Sequence, residues 1–577
     1  MPSKDDKRIA PIGARPVRPA NKGYGDAGAS FVKKALKGFL ASSGSPREDI
    51  DEHNYTMRQR ARMLYMAAPV ATSAIKTNRT NVIGCGLQLK SRINRVKLGL
   101  TPEQAKEWQR KAEEEFELWA GNKMNCDAIG VNNFYTAQQL ALASCLVSGD
   151  VIVILKHEEP DMLNPYGLRF HMIEADRVST PTKLTAGASF FANMTQGQTE
   201  AGNPIYDGVE VDKNGRIVAY WIRNTYPYQQ TSELTEWKRV LARGEETGLP
   251  NVLHIMETER PEQYRGVSYL AQVIEPLLQM RRYTDSELTA AVVESFFTAF
   301  IKTEADPNTN PYNEVGGDDV EPVSDDPSEY EMGPGQINIM KPGEDVVFGD
   351  PKRPAGGFDG FVVAICKQVG AALEIPTDLL LKSFNASYSA SRAALLEAWK
   401  AFKMRREWLA DDFCRPIYSV WMSEAVARGR IYAPGFFENP AIRAAYLGSE
   451  WLGPSQGQLD PTKEITAEIL ACSEGFSTHE QSTIRLNGGQ WDANVDQLLR
   501  ENEKLGGNSP DPHQTGGSTG GEPPTTEGEK EGEGESEDNN PHNPDNSRRR
   551  GIVALRNLII EEQIRQAIKG GQEHGEN

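Results

Sequence analysis

The chain has 577 residues, enough for two to four structural units by the usual domain-size relation, with 38% hydrophobic residues and a formal charge of −18. That charge argues against a protein that wraps nucleic acid through a basic surface. Six cysteines stand far apart with no CxxC or Cys/His metal spacing, which predicts scattered reduced thiols rather than disulfides. No secretory h-region is visible, and no apolar run approaches the ~18 residues of a membrane span, since Glu294 interrupts the best candidate. The expectation is a soluble protein made in a cytoplasm.

Residues 1–50 are rich in Pro, Gly, Lys and Arg without sustained periodicity and read as a mobile basic arm, with a short helix at Phe31–Leu40. Order is expected from Asp51. Helical signals run through RQRARMLYM, break at Pro69 and resume through Ala71–Thr80, and LQLKSRI then alternates as a strand. Thr101-Pro102 starts a helix as cap and first residue, with Trp108, Ala112, Phe116 and Trp119 as its buried stripe. Phe134–Val147 reads as a helix stopped at Ser148-Gly149. It feeds VIVILKH, whose continuous apolar run predicts a strand buried on both faces. Residues 170–260 read as mainly β, with Asn214-Gly215 predicting a type I′ hairpin turn.

Gly266–Ile301 predicts a short helical entry capped by Ser268, then a long helix with Pro276 at its first position. Leu277, Met280, Leu288, Val292, Phe296 and Phe300 draw one apolar stripe, against Arg281, Arg282, Asp285, Glu287 and Glu294. From 302 to 357 the chain is Pro-, Gly- and acid-rich, with strand-like QINIM and DVVF, and predicts a small insertion. Helical pattern returns at Phe358–Leu373. A second long helix, Ser387–Arg415, follows with Leu395, Trp399, Phe402, Leu409 and Phe413 as its stripe; Pro416 ends or kinks it before Ile417–Arg428 resumes. The segment 429–475 is loop-rich and leads into the helix TKEITAEILACSEG, stopped by Gly475, and further helical pattern runs to Leu505. Residues 506–547 lack core formers and read as a disordered acidic linker; 548–577 read as an amphipathic helix. Glu561 and Glu562 favour a tethered docking peptide over a membrane-surface helix.

Catalytic, cofactor and metal motifs are not found. There is no GxxxxGK[ST] loop, and Gly84-x-Gly86 falls short of a dinucleotide fingerprint. His157-Glu158 and His479-Glu480 lack a second histidine four residues on, and no GxSxG elbow occurs. Asp306-x-Asn308-x-Asn310 begins like a calcium loop, but Pro311 and Gly317 stand where that loop needs glycine and glutamate. The expectation is no enzyme, no cofactor and no metal.

In order, Arg62–Gly86, Glu174–Pro181, Asp207–Ile222, Val252–Ile255, Arg265–Ala291, Ser387–Trp399 and Trp451–Ala467 resemble the lambda-type portal family of tailed bacteriophages. The resemblance implies an α+β portal fold with an α/β wing, two-helix stem, small clip insertion and helical crown, assembled as a ring of about twelve subunits. It implies a wing at 51–268, a first stem helix at 269–301, a clip at 302–357 and a second stem helix at 358–374. A channel loop and long kinked helix would occupy 375–425, and the wing and crown would be completed at 426–505. It also implies double-stranded DNA passing through a channel, docking of the terminase large subunit and later of a head–tail adaptor, contact with major capsid and scaffold proteins, and a place at the capsid portal vertex of the virion. No membrane is implied. The mapping puts Arg281, Arg282, Lys367, Lys382 and Arg392 near the stem or channel loop as candidate DNA-facing positions; the alternative for each is an ion pair between subunits. Two other readings stay open: a non-ring minor capsid or head–tail joining protein, and a nuclease or ATPase subunit of the packaging motor.

Overall fold

The computed structural model describes residues 33–36, 39, 43–185, 196–229, 234–295, 299–301, 337–339, 358–384, 387–458 and 460–504. Two compact units divide at Leu498, 1–498 and 499–577.

A π-turn at Arg47–Asp51 leads into α1 (Glu52–Ala67). Pro69 then opens α2 (Pro69–Val82), where its missing N–H is harmless, so the break expected at this proline is a corner between two helices. After β1 (Gln88–Ser91) and the single turn α3 (Arg95–Leu98), Thr101 and Gln104 form a reciprocal capping box at the start of α4 (Pro102–Ala120). A further turn, α5 (Lys123–Cys126), precedes α6 (Phe134–Ser148). Phe116 and Trp119 of α4 are fully buried, whereas Trp108 is half-buried and donates its indole N–H to the Tyr432 carbonyl.

β2 (Asp150–His157) is the centre of a three-stranded antiparallel sheet, between β3 (Leu168–Glu174) and β9 (Val252–Met256). Its run is buried on both faces, as expected: Val151 and Val153 enter the main core, and Ile152 enters a second core on the other face. That second core is shared with a five-stranded antiparallel sheet in sequential order, β4 (Gln196–Gln198), β5 (Pro204–Tyr206), β6 (Val209–Val211), β7 (Ile217–Arg223) and β8 (Trp237–Leu241). The β6–β7 connection differs from the type I′ expectation. Gly215 alone is left-handed (φ 80°), and Asp212 Oδ1 accepts from the N–H groups of Asn214 and Arg216, so the loop is held by an Asx cap with a bulge at Glu210/Val211.

The long helix α7 runs Ile274–Ser295 after a 3₁₀ turn at Ala271–Val273. Ser268 Oγ accepts from Leu270 N–H, the expected cap of that turn. Pro276 is the third helical residue, not the first, because Ile274 and Glu275 already have helical geometry. The helix stops at Ser295 instead of reaching Ile301: Ala299–Ile301 is a strand, β10, paired in parallel with β11 (Ile337–Ile339). Phe296 lies outside the described residues, as do the arm before residue 33, most of 302–357 and everything after 504.

α8 (Phe358–Ala372) and α9 (Thr377–Leu381) follow, then α10 (Tyr388–Leu409) and α11 (Arg415–Ala427). A π-turn at Ala410–Cys414 joins the last two, so the irregularity expected at Pro416 is absorbed before the proline, which sits in the first turn of α11. α12 (Pro440–Tyr446) and β12 (Ser449–Leu452) occupy the stretch expected to be loop, with β12 antiparallel to β1. Three helices close the described chain: α13 (Pro461–Ser473), α14 (His479–Asn487) and α15 (Trp491–Lys504). The main core lies between α4, α6 and α11. There Phe134 stacks on Phe413 at 5.4 Å, and Phe116 meets Trp421 edge-on at 5.0 Å.

Candidate functional site

The candidate site is the pair α7/α8 and the machinery that seats it. α7 and α8 run antiparallel: Tyr269 OH donates to the Leu373 carbonyl, Met280 Sδ lies 3.8 Å from Cys366 Sγ, and Tyr283 packs on Phe358 and Phe361. The lower turns are core, with Leu277, Met280, Cys366 and Val369 buried. Above them the apolar side chains lose their cover: Leu288 is 65% exposed, Phe361 49% and Val292 47%. The stripe expected along this helix is buried in its first turns, is exposed at Leu288 and Val292, and does not run on to Phe300, which lies in β10.

Arg405 of α10 ties down both feet of the pair. It is buried, donates to Asn78 Oδ1 on α2 (3.0 Å) and to Glu374 beyond α8 (2.8 Å), and lies 4.8 Å from the centre of the Tyr269 ring before α7. Its neighbour Arg406 is half-buried and donates to the carbonyls of Asn81, Val82 and Pro454; burial lowers its pKa to about 10.

The segment entering α7 is locked by a buried ionic network. Gly149 and Gly266 touch backbone to backbone: a Cβ on Gly266 would sit 2.0 Å from the Gly149 carbonyl oxygen, and one on Gly149 would sit 2.4 Å from that of Gly266. This contact places Asp150, the first residue of β2, beside Arg265. The Asp150 carboxylate accepts from Arg265 Nε (2.7 Å) and Nη2 (3.2 Å) and from Gly266 N–H (3.1 Å), with His254 Nε2 at 3.3 Å. Arg265 also donates to Asp207 Oδ2 (2.6 Å) and to the carbonyls of Ala175 and Val178. Arg58 of α1 stands 3.5 Å from Asp150, Arg62 pairs with Asp176, and Asn54 donates to the Gly266 carbonyl. Burial alone would raise the Asp150 pKa, but Arg265 and then Arg58 hold it well below the usual carboxylate range. Asp51 has the opposite fate: burial first, then the nearby Asp207 carboxylate, push its pKa up to about 7.

The five basic positions expected near a channel do not form one group. Arg281, Arg282 and Lys367 are exposed on α7 and α8. Lys382 ends α9 in a left-handed conformation (φ 56°), and its ammonium donates to Thr77 Oγ1 at 2.8 Å. Arg392, near the start of α10, is paired with Glu464 of α13 at 3.1 Å. Sequence reasoning missed Arg58, Asp150, Arg265 and Arg405. One signal was available for Asp150, a charge at the mouth of an otherwise apolar strand directly after a glycine. Arg405 adjoins Arg406, and the apolar stripe of α10 does not say which arginine turns inward.

No side chain in these clusters is an activated nucleophile, and no group of three or more His, Cys, Asp or Glu among the described residues has metal-site geometry. No described helix is long and apolar enough to cross a membrane. The arrangement positions α7 and α8.

Comparison with known proteins bears on what is positioned. The family described as phage portal protein, lambda family, matches residues 33–406. The portal protein of Escherichia phage N15 is 22% identical over 448 residues, 75% of this chain and 81% of its own. Portal protein B of Escherichia phage lambda is 21% identical over 500 residues, 83% of this chain and 89% of its own. A probable portal protein of Halomonas phage phiHAP-1 is 24% identical over 432 residues, 74% and 76% of the two chains. Among solved structures, a chain in the neck of a native gene transfer agent particle, computed with C12 symmetry, aligns over 76% of this chain and 94% of its own at 13% identity and a TM-score of 0.35. One from the neck of an empty particle, computed with C6 symmetry, gives 12% and 0.37, covering 75% and 92%.

Proposed function

We propose that this chain, which belongs to the lambda family of phage portal proteins and acts as a portal protein, does so as a closed ring at one capsid vertex with double-stranded DNA passing through its centre. The observation that carries the ring is the uncovered stripe on α7 and α8. Leu288, Val292 and Phe361 continue a core face into solvent, and burying each would contribute about 1.5–3 kcal/mol. Neighbouring copies of the same helix pair supply that cover when about twelve subunits close head to tail. In this reading 51–268 is wing, α7 and α8 are the two stem helices, 302–357 is clip, 375–425 carries the channel loop and the kinked helix, and 426–505 completes wing and crown.

The work done is mechanical. The terminase large subunit docks on the clip and drives DNA inward, and a head–tail adaptor later takes that place. The ring is assembled in the host cytoplasm with major capsid and scaffold proteins and stays in the virion. The linker 506–547 tethers the segment 548–577 to one of these partners. A chain of −18 leaves phosphates unheld, so a few basic rings suffice to centre the duplex. Arg281, Arg282 and Lys367, exposed on the stem, are better placed for that than Lys382 and Arg392, which have partners within the chain.

The test is Leu288→Asp with Val292→Asp, with particle mass measured by light scattering and folding by circular dichroism. A folded chain that no longer forms rings is expected; unchanged rings would remove the stem packing. Charge reversal at Arg281, Arg282 and Lys367 in assembled rings is expected to lower DNA retention, and unaltered packaging and retention would end their DNA role.

A further inference from the structure

Ahead of α1, residues 43–51 run as a short strap over Tyr206, Arg260 and Tyr264, which neighbour Asp207 and Arg265 in the chain. The outer fastenings of this strap lie at the surface. Asp49 pairs with Arg260 Nη1 at 2.6 Å, and the Gly44 carbonyl accepts from Arg260 Nη2 at 3.1 Å. The Arg47 guanidinium lies 3.7 Å from the centre of the Tyr206 ring, which stacks on Tyr264 at 5.6 Å. Glu48 is engaged within the strap, accepting from Ser45 N–H at 2.8 Å. Both side chains of the Asp49–Arg260 pair are more than a third exposed, so it holds weakly. Only Ile50 and Asp51 of the strap are buried.

Asp51 stands at the N-cap of α1, yet its carboxylate accepts no capping hydrogen bond. The charged groups that face it are Asp207 of the β5–β6 turn, Arg265 ahead of α7, Arg58 of α1 and Asp150 of β2. Behind them stand Asp176, Arg62 and His254. Both near guanidiniums are already engaged: Arg265 with Asp150 and Asp207, and Arg58 within 4.0 Å of Asp150, Asp176 and Asp207. Four carboxylates (Asp51, Asp150, Asp176, Asp207) thus meet three guanidiniums (Arg58, Arg62, Arg265). With His254 neutral, the charges balance only when one carboxyl keeps a proton, and burying an excess charge is costly. Against burial, Arg265 and then Arg58 hold Asp150 ionised, whereas burial and then Asp207 push Asp51 up to about 7. The proton belongs to Asp51.

We propose that residues 43–51 are a proton-held strap, closed over the Arg265 network while the Asp51 carboxyl is protonated and lifted from it once that proton passes to water. Ionised in place, Asp51 adds a charge without a partner beside Asp207; lifted, it is hydrated, and the surface fastenings are all that oppose its departure. Arg260 and Tyr264 belong to the segment that leads into α7, so the strap also steadies that entry from outside. The sign follows from the proton: the closed strap binds it more tightly than the open one, so closure is fullest at low pH. Between about 4, the ordinary value, and about 7 each pH unit lowers the closed-to-open ratio about tenfold, and above about 7 the ratio levels off.

The test is amide hydrogen exchange of the full chain, followed by mass spectrometry at pH 5 and pH 8, with each rate corrected for intrinsic exchange at that pH. The reporters are strap amides such as Asp49 N–H, bonded to the Ser45 carbonyl at 3.0 Å, with α4 as the reference. Strap protection at least tenfold lower at pH 8, with α4 unchanged, is expected, and Asp51→Asn should keep the pH 5 protection at both. Equal protection at the two pH values overturns the strap, as does a loss shared by α4, which is opening of the surrounding fold. Arg260→Met, which cuts a surface fastening alone, should lower strap protection at both pH values and keep the tenfold difference; its disappearance there would count against Asp51 as the control. His254→Gln should also keep the difference. A pH dependence lost in His254→Gln and retained in Asp51→Asn would assign the proton to the histidine and end the proposal.

Discussion

Replacing Arg265 by Met removes the centre of the network that seats α7. Arg265 is fully buried and makes charge-assisted bonds to Asp150 and Asp207, besides donating to the Ala175 and Val178 carbonyls. Without it, Asp150 keeps only Arg58 at 3.5 Å, His254 and one backbone N–H, in a site closed to water. Leaving one partner of a buried pair costs about 3–5 kcal/mol, a large part of the ~5–15 kcal/mol that stabilises a domain. Urea unfolding of the unassembled chain, followed by tryptophan fluorescence, measures it. The pH dependence identifies the cause. In the wild type the Asp150 pKa is depressed below its unfolded value, so its contribution is present above about pH 4 and lost as pH falls below that. In Arg265→Met that depression is largely gone, so the deficit against wild type should stay level above about pH 4 and shrink as the pH falls below it. Asp150→Asn in the same chain should recover part of the loss. A deficit under ~1 kcal/mol at pH 7, or one that does not shrink below about pH 4, would refute the assignment of this network as the anchor.

Asp51 tests the same network from the other side. Its folded pKa, about 7, lies above its unfolded value of about 3.9, so stability is lost as pH rises between those values, at up to ~1.4 kcal/mol per unit. Asp51→Asn should therefore stabilise the chain more at pH 8 than at pH 5; equal shifts of the urea midpoint at both would contradict it. Gly266→Ala forces the Gly149 and Gly266 backbones apart and should cost more than about 2 kcal/mol, read as a lower melting temperature, whereas Gly248→Ala meets no atom within 4 Å and pays only for its left-handed φ. Arg405→Ala should cost about 3 kcal/mol and speed amide exchange in α7 and α8 before the rest of the core; uniform exchange would mean that Arg405 does not hold their feet.

Local signals were legible wherever the chain settles its own backbone. Pro69, the Thr101–Gln104 box, the stop at Gly149 and the unbroken run of β2 each appear where the sequence places them, because caps, prolines and burial period act over a few residues. The ends of α7 were less legible: its apolar period carries on through Phe300, and only the partner strand β11, far along the chain, turns Ala299–Ile301 into β10. β12 escaped notice for the same reason, since Ser449–Leu452 becomes a strand by pairing with β1, more than 350 residues earlier.

Of the candidate site, the residue order alone made legible the long helix, the first turns of its apolar stripe and the family that the ordered segments resemble. Packing in space set which part of that stripe is exposed, Leu288 foremost, and which charges are anchors. Arg265 and Arg281 read alike as letters. One is buried against Asp150 and Asp207, where low dielectric makes its loss expensive, and the other stands in water on α7. Period and propensity belong to neighbours along the chain, whereas the worth of a charge depends on what surrounds it in space.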